Sequence, residues 1–274
     1  MTATPKIGDK EEQQNLIEFP YSIAGFAVGA IVGLTGVGGG SLMTPLLVLV
    51  FGVPAVTAVG TDLLYAGFTK IGGAVSHGIK GHVDWRVAGL LAAGSVPGTA
   101  LAIATLAALP PASASTRLVV STALGIMLVL TALALAFRSK LLAWASSRGD
   151  RGWIATHRTF ATIATGAFIG IAVTFSSVGA GAVGVTALVL LFPALATLRI
   201  VGTDIAHAVP ITLLAGLGHA WLGNVNWWLL ASLLIGSLPG ILVGSHLAAR
   251  VPERVLRHSL VAVLLLAGTK LVVH

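Results

Sequence analysis

The sequence contains no cysteine and little charge: only 9% of its 274 residues are Asp, Glu, Lys or Arg. Without cysteine the chain forms no disulfide and offers no thiolate to a metal. The charged fraction lies far below the roughly 25% of ordinary globular domains. Hydrophobic residues make up 56% of the chain. This composition excludes a soluble domain and indicates a membrane protein.

The chain also lacks the motifs of nucleotide-driven and enzymatic chemistry. It contains no Walker loop, no nucleophile elbow and no set of His or Cys residues at metal-ligand spacing. We therefore expect no metal, no cofactor, no use of ATP by this chain and no enzymatic activity. The net charge is +7, but most Arg and Lys residues lie in short loops between apolar runs, where they set membrane topology. We expect no nucleic-acid partner.

Apolar runs of about 18 or more residues recur along the chain, and each can cross a hydrocarbon core roughly 30 Å thick as a helix. We therefore predict an all-α polytopic protein embedded in a lipid bilayer. The first 19 residues form a polar tail without the apolar core of a cleaved signal peptide. The clearest runs cover residues 53–75, 87–109, 118–137, 229–247 and 255–273.

A glycine cluster, Gly36-Val37-Gly38-Gly39-Gly40-Ser41, interrupts the apolar run of residues 20–51. A broken helix leaves backbone N–H and C=O groups unpaired, which is tolerated in a membrane only where protein or a water-filled cavity satisfies them. The alternative is close helix packing, which small residues also permit. A second cluster, Ser177-Val178-Gly179-Ala180-Gly181-Ala182, interrupts the run of residues 157–192. Because the feature occurs twice, we favour two broken helices.

The two clusters belong to an internal repeat. A single offset of 142 residues, from 59 to 201, aligns several short motifs without a gap, and such self-similarity indicates duplicated structural units. We predict a tail at 1–19, a first transmembrane repeat at 20–137, a basic connector at 138–156 and a second repeat at 157–274. The aligned pairs are Val59-Gly60-Thr61-Asp62 with Val201-Gly202-Thr203-Asp204, His77 with His219, Asp84-Trp85 with Asn226-Trp227, and Gly94-Ser95-Val96-Pro97-Gly98 with Gly236-Ser237-Leu238-Pro239-Gly240.

The distribution of basic residues predicts how the halves are oriented. The connector region from Arg138 to Arg158 holds five basic residues and one acid, so we place it in the cytoplasm. The basic residues around His82 and Pro252 lie on the same side if each broken segment enters and leaves on one side, as two short helices or a re-entrant hairpin, before three crossings. The halves are then inverted and both termini lie outside. If each broken segment crosses once instead, the basic cluster near Pro252 lies outside.

Inverted repeats with broken helices hold substrates near the membrane midplane, at half-helix ends. A helix N-terminus presents free N–H groups and about half a positive charge, and so favours an anion. New helices are expected from Ser41 and from Ala182. The alternative for the hydroxyl groups is a bond to a carbonyl of their own helix. The predicted substrate-binding residues are Thr35, Gly38, Gly39, Gly40, Ser41, Ser176, Ser177, Gly179 and Gly181.

Four ionisable residues within the spans are candidates for coupling or gating: Asp62, Lys70, Asp204 and His207. Burial of such groups in lipid is costly, so they should face the protein interior or water. Asp62 and Lys70 lie within an arc of about 80° on one helix, but about 12 Å of rise makes a direct bond doubtful. Both aspartates follow closely on the start of a span, so helix capping is their alternative role.

The histidines within the spans differ in predicted depth. His77 and His219 fall at span ends, where solvation at the interface is the expected role. His207, just before Pro210, lies deeper in its span. Because imidazole titrates near neutral pH, His207 is the preferred residue for proton handling.

These motifs together resemble the TauE/SafE family of membrane permeases, also called the sulfite exporter family. The resemblance rests on Gly36 to Ser41 with Pro45 following, on Val59 to Asp62, on Gly94 to Gly98, and on their repeats. It implies secondary transport of small, mostly sulfur-containing anions, such as sulfite, sulfoacetate or related organosulfonates, across the bacterial inner membrane.

The second half departs from the family pattern. Its cluster lacks the triple glycine, and neither Thr186 nor Ala187 supplies a counterpart of Pro45. The two half-sites are therefore not chemically equivalent. This difference suits an anion with a sulfonate group at one end and another group at the other.

The sequence thus predicts a secondary transporter that holds its anion between two broken helices and works by relative movement of the halves. Protons are the hypothesised coupling ion, through His207 or Asp204. A passive anion channel of the same fold is the first alternative, and a membrane-embedded enzyme using the His and Asp residues is the second. The direction of transport, the stoichiometry and the oligomeric state, a homodimer included, are left open.

Overall fold

A computed structural model describes residues 19–35, 40–110, 113–148, 156–247 and 253–273. Within these ranges the chain forms helices and no strand, which confirms the predicted all-helical class. Six of the helices are long and apolar enough to cross a membrane. The helices are α1 (Phe19–Thr35), α2 (Gly40–Leu49), α3 (Ala55–Ile79), α4 (Trp85–Ala108), α5 (Ala114–Ala136), α6 (Arg138–Arg148), α7 (Arg158–Ser176), α8 (Ala182–Leu191), α9 (Thr197–Trp221), α10 (Trp227–Leu247) and α11 (Glu253–Val273).

The two halves have the same helix order, apart from the connector helix α6. Each consists of a broken pair of helices followed by three long ones: α1 to α5 in the first half and α7 to α11 in the second. The starts of α4 and α10 are built alike. The Asp84 carboxylate accepts the N–H of Val87 at 3.1 Å, and the Asn226 side chain accepts the N–H of Leu229 at 3.0 Å. These are N-caps in equivalent positions.

The second predicted helix break is present in the described residues. The first lies between the end of α1 and the start of α2, and residues 36–39 are outside the described ranges. In the second break, Ser177 has a φ of 57°, Gly179 of 120° and Gly181 of 146°. L-residues rarely adopt these angles, so glycine at two of the three positions removes most of the strain.

The halves exchange packing partners. Helix α1 of the first half packs along α10 of the second, and α7 of the second packs along α4 of the first. Gly25 faces Leu233 and Gly29 faces Ser237, so α1 and α10 are parallel. The other pair is parallel as well, because Gly94 faces Ile163 and Gly98 faces Ala167. Small residues allow these backbones to approach closely.

Two further pairs of helices lie across the boundary between the halves, and both are antiparallel. Gly60 of α3 approaches Asn224 after the end of α9, whereas Gly67 approaches Leu213. Helix α5 packs against α11, where Gly125 approaches Val272. Equivalent helices of the two halves therefore run in opposite directions.

Contacts of α10 fix the course of the first broken pair. Thr61 of α3 accepts the N–H of Asn226 at 3.1 Å, and Tyr65 lies beside Ser237, so α3 is parallel to α10. Because α1 is also parallel to α10, α1 and α3 run in the same direction. The α2 segment therefore returns towards the side where α1 began.

The second broken pair follows the same course. The Thr203 hydroxyl accepts the N–H of Asp84 at 2.9 Å, and His207 pairs with Ser95, so α9 is parallel to α4 and hence to α7. The α8 segment returns between them. Because α3 and α9 are antiparallel, the two hairpins enter from opposite sides, an arrangement compatible with inverted halves.

Candidate functional site

The Val-Gly-Thr-Asp motif of α3 fixes that helix against the other half. A Cβ atom on Gly60 would lie 2.5 Å from the Asn224 carbonyl oxygen, so only glycine admits this loop. The next residue, Thr61, accepts the N–H of Asn226. The first three residues of the motif thus have a structural role, and the aspartate that follows them lies in the protein interior.

The repeated motif in α9 makes the reciprocal contacts. Gly202 faces the His82 carbonyl group, and Thr203 accepts the N–H of Asp84. Asp62 and Asp204 therefore occupy equivalent places on two antiparallel helices. Both are almost fully buried, with 0% and 3% of their surface exposed.

Asp62 is not a helix cap. It lies more than one turn inside α3, which begins at Ala55 after Pro54, so the capping alternative was wrong. Its Oδ2 atom accepts a hydrogen bond from the hydroxyl of Thr44 in α2, whose side chain is also buried. Its Oδ1 atom has no hydrogen-bond partner among the described residues. Asp62 therefore ties the returning helix of its own half to α3 and keeps one oxygen free.

Lys70 extends from α3 into the other half. Its ammonium group donates to the Ala180 carbonyl oxygen at 2.9 Å, within the second helix break. It lies within electrostatic range of both carboxylates, and the interaction with Asp204 is the larger. The cation of the first half is thus placed beside the aspartate of the second.

Asp204 lies against the first turn of α8. A Cβ atom on Gly184 would collide with its Oδ1 atom, so the aspartate occupies space that any other residue at 184 would fill. Asp204 is well inside α9, which begins at Thr197, and the capping alternative is wrong here too. Sequence reasoning did not single out Gly184 or Thr44, because their partners come from other helices.

His207 and His219 are both buried. The Nε2 atom of His207 lies 2.8 Å from the Ser95 hydroxyl, which gives a role to the serine of the Gly-Ser-Val-Pro-Gly motif. The expectation that His219 lies at the interface was wrong, because its side chain is fully buried and its Nε2 atom is 2.9 Å from the Thr174 carbonyl oxygen. This histidine lies in the last turn of α9, with its side chain against Gly60 of α3.

The serines of the second break have different roles. The Ser176 hydroxyl donates to the Ala172 carbonyl oxygen of its own helix at 2.6 Å and accepts the N–H of Val178 at 3.1 Å. The structural alternative therefore applies to Ser176. The Ser177 hydroxyl is buried and unpaired within the part of the chain that the structure describes. It lies beside the Asp62 carboxyl group.

The first break is described only in part. Ser41 is buried in the first turn of α2, and Gly40 begins that helix. Gly38, Gly39 and the side chain of Thr35 lie outside the described residues. Gly179 and Gly181 have the backbone angles given above and carry no side chain.

The family model described as Sulfite exporter TauE/SafE matches residues 21–271. The chain belongs to the TauE/SafE family. It is 38% identical over 252 residues to the "Probable membrane transporter protein YjnA" of Bacillus subtilis, covering 91% of this chain and 98% of that protein. It is 28% identical to the "Probable membrane transporter protein YdhB" of the same organism, with coverage of 89% and 95%.

A "Probable membrane transporter protein" of Xylella fastidiosa is 27% identical, with 83% of each chain covered. No solved structure matches the chain. Membership of the TauE/SafE family and the names of these relatives support a multi-pass membrane transporter. The resemblance drawn from the glycine clusters and their neighbouring motifs is confirmed.

In this TauE/SafE protein, two helix N-termini, one ammonium group and two carboxylates meet where the halves interlock. The N-termini of α2 and α8 both lie at the interior ends of the hairpins. Lys70 binds the second break, and Asp62 binds α2. Every one of these groups belongs to, or contacts, a broken helix. A movement of either hairpin would therefore alter the electrostatics of the other.

Proposed function

We propose that the protein is a secondary transporter of small sulfur-containing anions, such as sulfite or an organosulfonate. The observation that carries the proposal is the Lys70 ammonium group at the second helix break, in a chain of the sulfite exporter family. A lysine in an apolar membrane protein that is half-buried between the two halves is costly and marks a pathway for a charged solute.

The anion is held between the N-termini of α2 and α8. Free N–H groups and the helix dipole attract it at both ends, and Lys70 supplies the only full positive charge among the residues of the predicted site. Ser41 contributes a hydroxyl donor. The glycines at 38–40, 179 and 181 let the anion approach the backbone. Because Lys70 belongs to one half-site only, the site favours an anion with two unlike ends.

Transport follows from relative movement of the two halves, which we propose to be inverted repeats. The parallel and antiparallel helix pairs support this topology, since they place the hairpins on opposite sides. The basic connector with α6 then lies in the cytoplasm of a bacterial cell and the protein in its inner membrane. Rocking about the interlocked α3 and α9 exposes the hairpin tips to one side at a time.

Coupling to protons requires a group that changes charge during the cycle. Asp204 and His207 are the candidates for a proton. Both are buried on one face of α9 and lie within electrostatic range of Lys70 on α3. The hydrogen bond between His207 and Ser95 links this group to α4. If either residue released a proton, its electrostatic interaction with the Lys70 ammonium group would become more favourable. Lys70 would then bind the anion less tightly.

Counterflow in proteoliposomes tests the transport proposal. Vesicles loaded with unlabelled sulfite should accumulate labelled sulfite transiently, and the rate should saturate with concentration. Sulfate, thiosulfate, sulfoacetate, taurine and a neutral analogue, added as competitors, define the substrate. Unsaturable flux without counterflow would instead indicate a passive anion channel, and a product different from the supplied anion would indicate an enzyme.

A pair of variants places the anion in the same experiment. Ser41→Ala should raise the concentration needed for half-maximal counterflow by about tenfold, as expected for one lost hydrogen bond to a charged group. Thr105→Ala is the control, because its hydroxyl bonds only to its own helix and is exposed. Equal effects of the two variants would contradict an anion site at the start of α2.

A further inference from the structure

Four buried polar atoms close to Asp62 lack hydrogen-bond partners among the described residues. They are Asp62 Oδ1, the Tyr65 hydroxyl, Ser177 Oγ and Ser237 Oγ. Ser177 has 5% of its surface exposed, and the other three residues have 1% or less. A buried polar atom without a partner is costly, so such atoms are rare in native proteins unless something binds them.

These atoms lie in two adjoining pairs. Ser177, from the second break, lies within reach of the Asp62 carboxyl group, but its Oγ atom and Oδ1 do not meet the distance and angle of a hydrogen bond. Tyr65 is one turn further along α3, on the same face as Asp62. It lies beside Ser237 and within electrostatic range of Asp62. One carboxylate oxygen and three hydroxyl oxygens therefore converge from α3, α10 and the second break.

A comparison of the two repeats shows that, among the described residues, the surroundings of Asp62 lack a cation from the other half. In the second half, Asp204 lies within electrostatic range of the Lys70 ammonium group, which interacts more strongly with Asp204 than with Asp62. The residue equivalent to Lys70 is Thr212, whose hydroxyl donates to the Ala208 carbonyl oxygen of its own helix at 2.8 Å. Helix α9 therefore supplies no cation to Asp62, whereas α3 supplies Lys70 to Asp204. Lys70 itself is held at Ala180, nearer to the other carboxylate.

The chemistry of the atoms selects the ligand. An anion is disfavoured, because the Asp62 carboxylate repels it at close range. A transition metal is disfavoured as well, since the free atoms are all oxygens and no nitrogen or sulfur ligand is among them. Oxygen ligands suit a hard cation. A single carboxylate balances one positive charge and not two.

We propose that Asp62 and Ser177 bind a sodium ion, through Oδ1 and Oγ, with the hydroxyls of Tyr65 and Ser237 on the neighbouring turn. Thr44 orients the carboxylate by its bond to Oδ2. The ion joins α3 to the second break, as Lys70 does from the other side. Its role as a coupling ion rests on the proposed transport function, whereas its binding does not.

Thermal unfolding of the purified full-length protein in detergent tests this site. Sodium chloride replaces choline chloride at constant ionic strength and constant pH, and lithium and potassium chloride run in parallel. The melting temperature should rise with sodium and follow a binding curve, because a ligand specific to the folded state stabilises it by mass action. Potassium and choline should give no such rise.

Ser177→Gly separates binding from folding. Glycine removes the hydroxyl and suits the φ of 57°, so stability in choline should not fall. The sodium concentration for half the effect should increase by about tenfold, the equivalent of about 1.4 kcal/mol. Asp62→Asn should abolish the sodium effect. Thr186→Val is the matched control: this threonine belongs to α8 and its hydroxyl bonds to Ala182, so sodium should stabilise that variant as it does the wild type.

Two results would overturn the proposal. One is an equal melting temperature in sodium and choline, and the other is a stabilisation that changes with pH but not with sodium, which would make Asp62 a proton site. The transport proposal is tested separately, by the counterflow measurement. Sodium binding without sulfur-anion counterflow rejects the transport function alone, and counterflow without sodium binding rejects this site alone.

Discussion

At the scale of residues, the two aspartates of the repeat have diverged in their surroundings. Asp62 binds a threonine from α2 and keeps a free oxygen, whereas Asp204 contacts Gly184 and faces Lys70. A threonine replaces the lysine in the equivalent position. Under the two proposals above, the two identical motifs serve different ions, as a transporter that moves a substrate together with a coupling ion would need.

Replacing Lys70 tests its role towards the anion. Lys70→Met should reduce sulfite counterflow by at least about tenfold, because the ammonium group at the second break is lost. Lys80→Met is the control, since Lys80 is exposed just after α3. Counterflow at the wild-type rate in Lys70→Met would contradict a role in anion binding.

A double variant distinguishes loss of anion binding from loss of folding. Removing Lys70 takes a cation away from the surroundings of the buried Asp204 carboxylate, and a buried charge without compensation lowers stability. Lys70→Met combined with Asp204→Asn removes both charges and should recover the melting temperature. Counterflow should stay low in the double variant, because the anion still lacks its partner.

Several of these residue roles were predicted from the sequence and several were not. The chain itself indicated Asp62, Lys70, Asp204 and His207, because ionisable groups are conspicuous in apolar runs. Their partners lie on other helices, and those of His207 and Lys70, Ser95 and Ala180, are more than one hundred positions away. No local pattern reports such a pairing, so capping was inferred for the aspartates and was wrong.

At the scale of helices, the glycines have two distinct functions. In the second break, Gly179 and Gly181 adopt backbone angles that other residues rarely adopt. In α4 and α10, glycines spaced four apart let a neighbouring helix approach closely. Close packing, the alternative weighed for the clusters, thus applies to the Gly-Ser-x-Pro-Gly motifs.

Two glycines of α4 provide a matched test of this packing. A Cβ atom on Gly94 would collide with the Ile163 carbonyl oxygen of α7, while one on Gly89 would meet nothing within 4 Å. Gly94→Ala should therefore lower the stability by about 1–3 kcal/mol, the usual cost of overpacking. Gly89→Ala should leave the melting temperature in detergent unchanged or slightly raised. Equal melting temperatures would mean that α4 and α7 can separate without loss.

At the scale of the whole molecule, the halves are interlocked rather than placed side by side. Helix α1 of the first half packs against α10 of the second, and α7 of the second packs against α4 of the first. The central helices α3 and α9 pack against each other across the boundary. No half could bury its apolar surface in this way alone. In the proposed transport cycle the moving parts are therefore the hairpins, whose returning helices α2 and α8 are short.

The lack of cysteine allows a direct test of topology. Single cysteines at Lys80, Ser147 and Trp221, all exposed, report three loops or helix ends. If the halves are inverted with the connector in the cytoplasm, a membrane-impermeant maleimide added to intact cells should label Trp221→Cys only. Permeabilised cells should show labelling at all three positions.

The other topology predicts a different pattern. If each broken segment crossed the membrane once, position 221 would lie in the cytoplasm with the other two. Protection of all three cysteines in intact cells would therefore contradict inverted halves. The wild-type chain supplies the background, because it has no cysteine to react.

The sequence by itself determined the membrane class, the repeat, the two helix breaks and the family. These depend on composition, on the lengths of apolar runs and on motifs, all of which are local or recur at one fixed offset. The tertiary structure decided which half each charged group serves. Lys70 meets the second break and Ser177 meets Asp62, because α3 and α9 pack antiparallel across the boundary and bring residues from distant parts of the chain together in the protein interior.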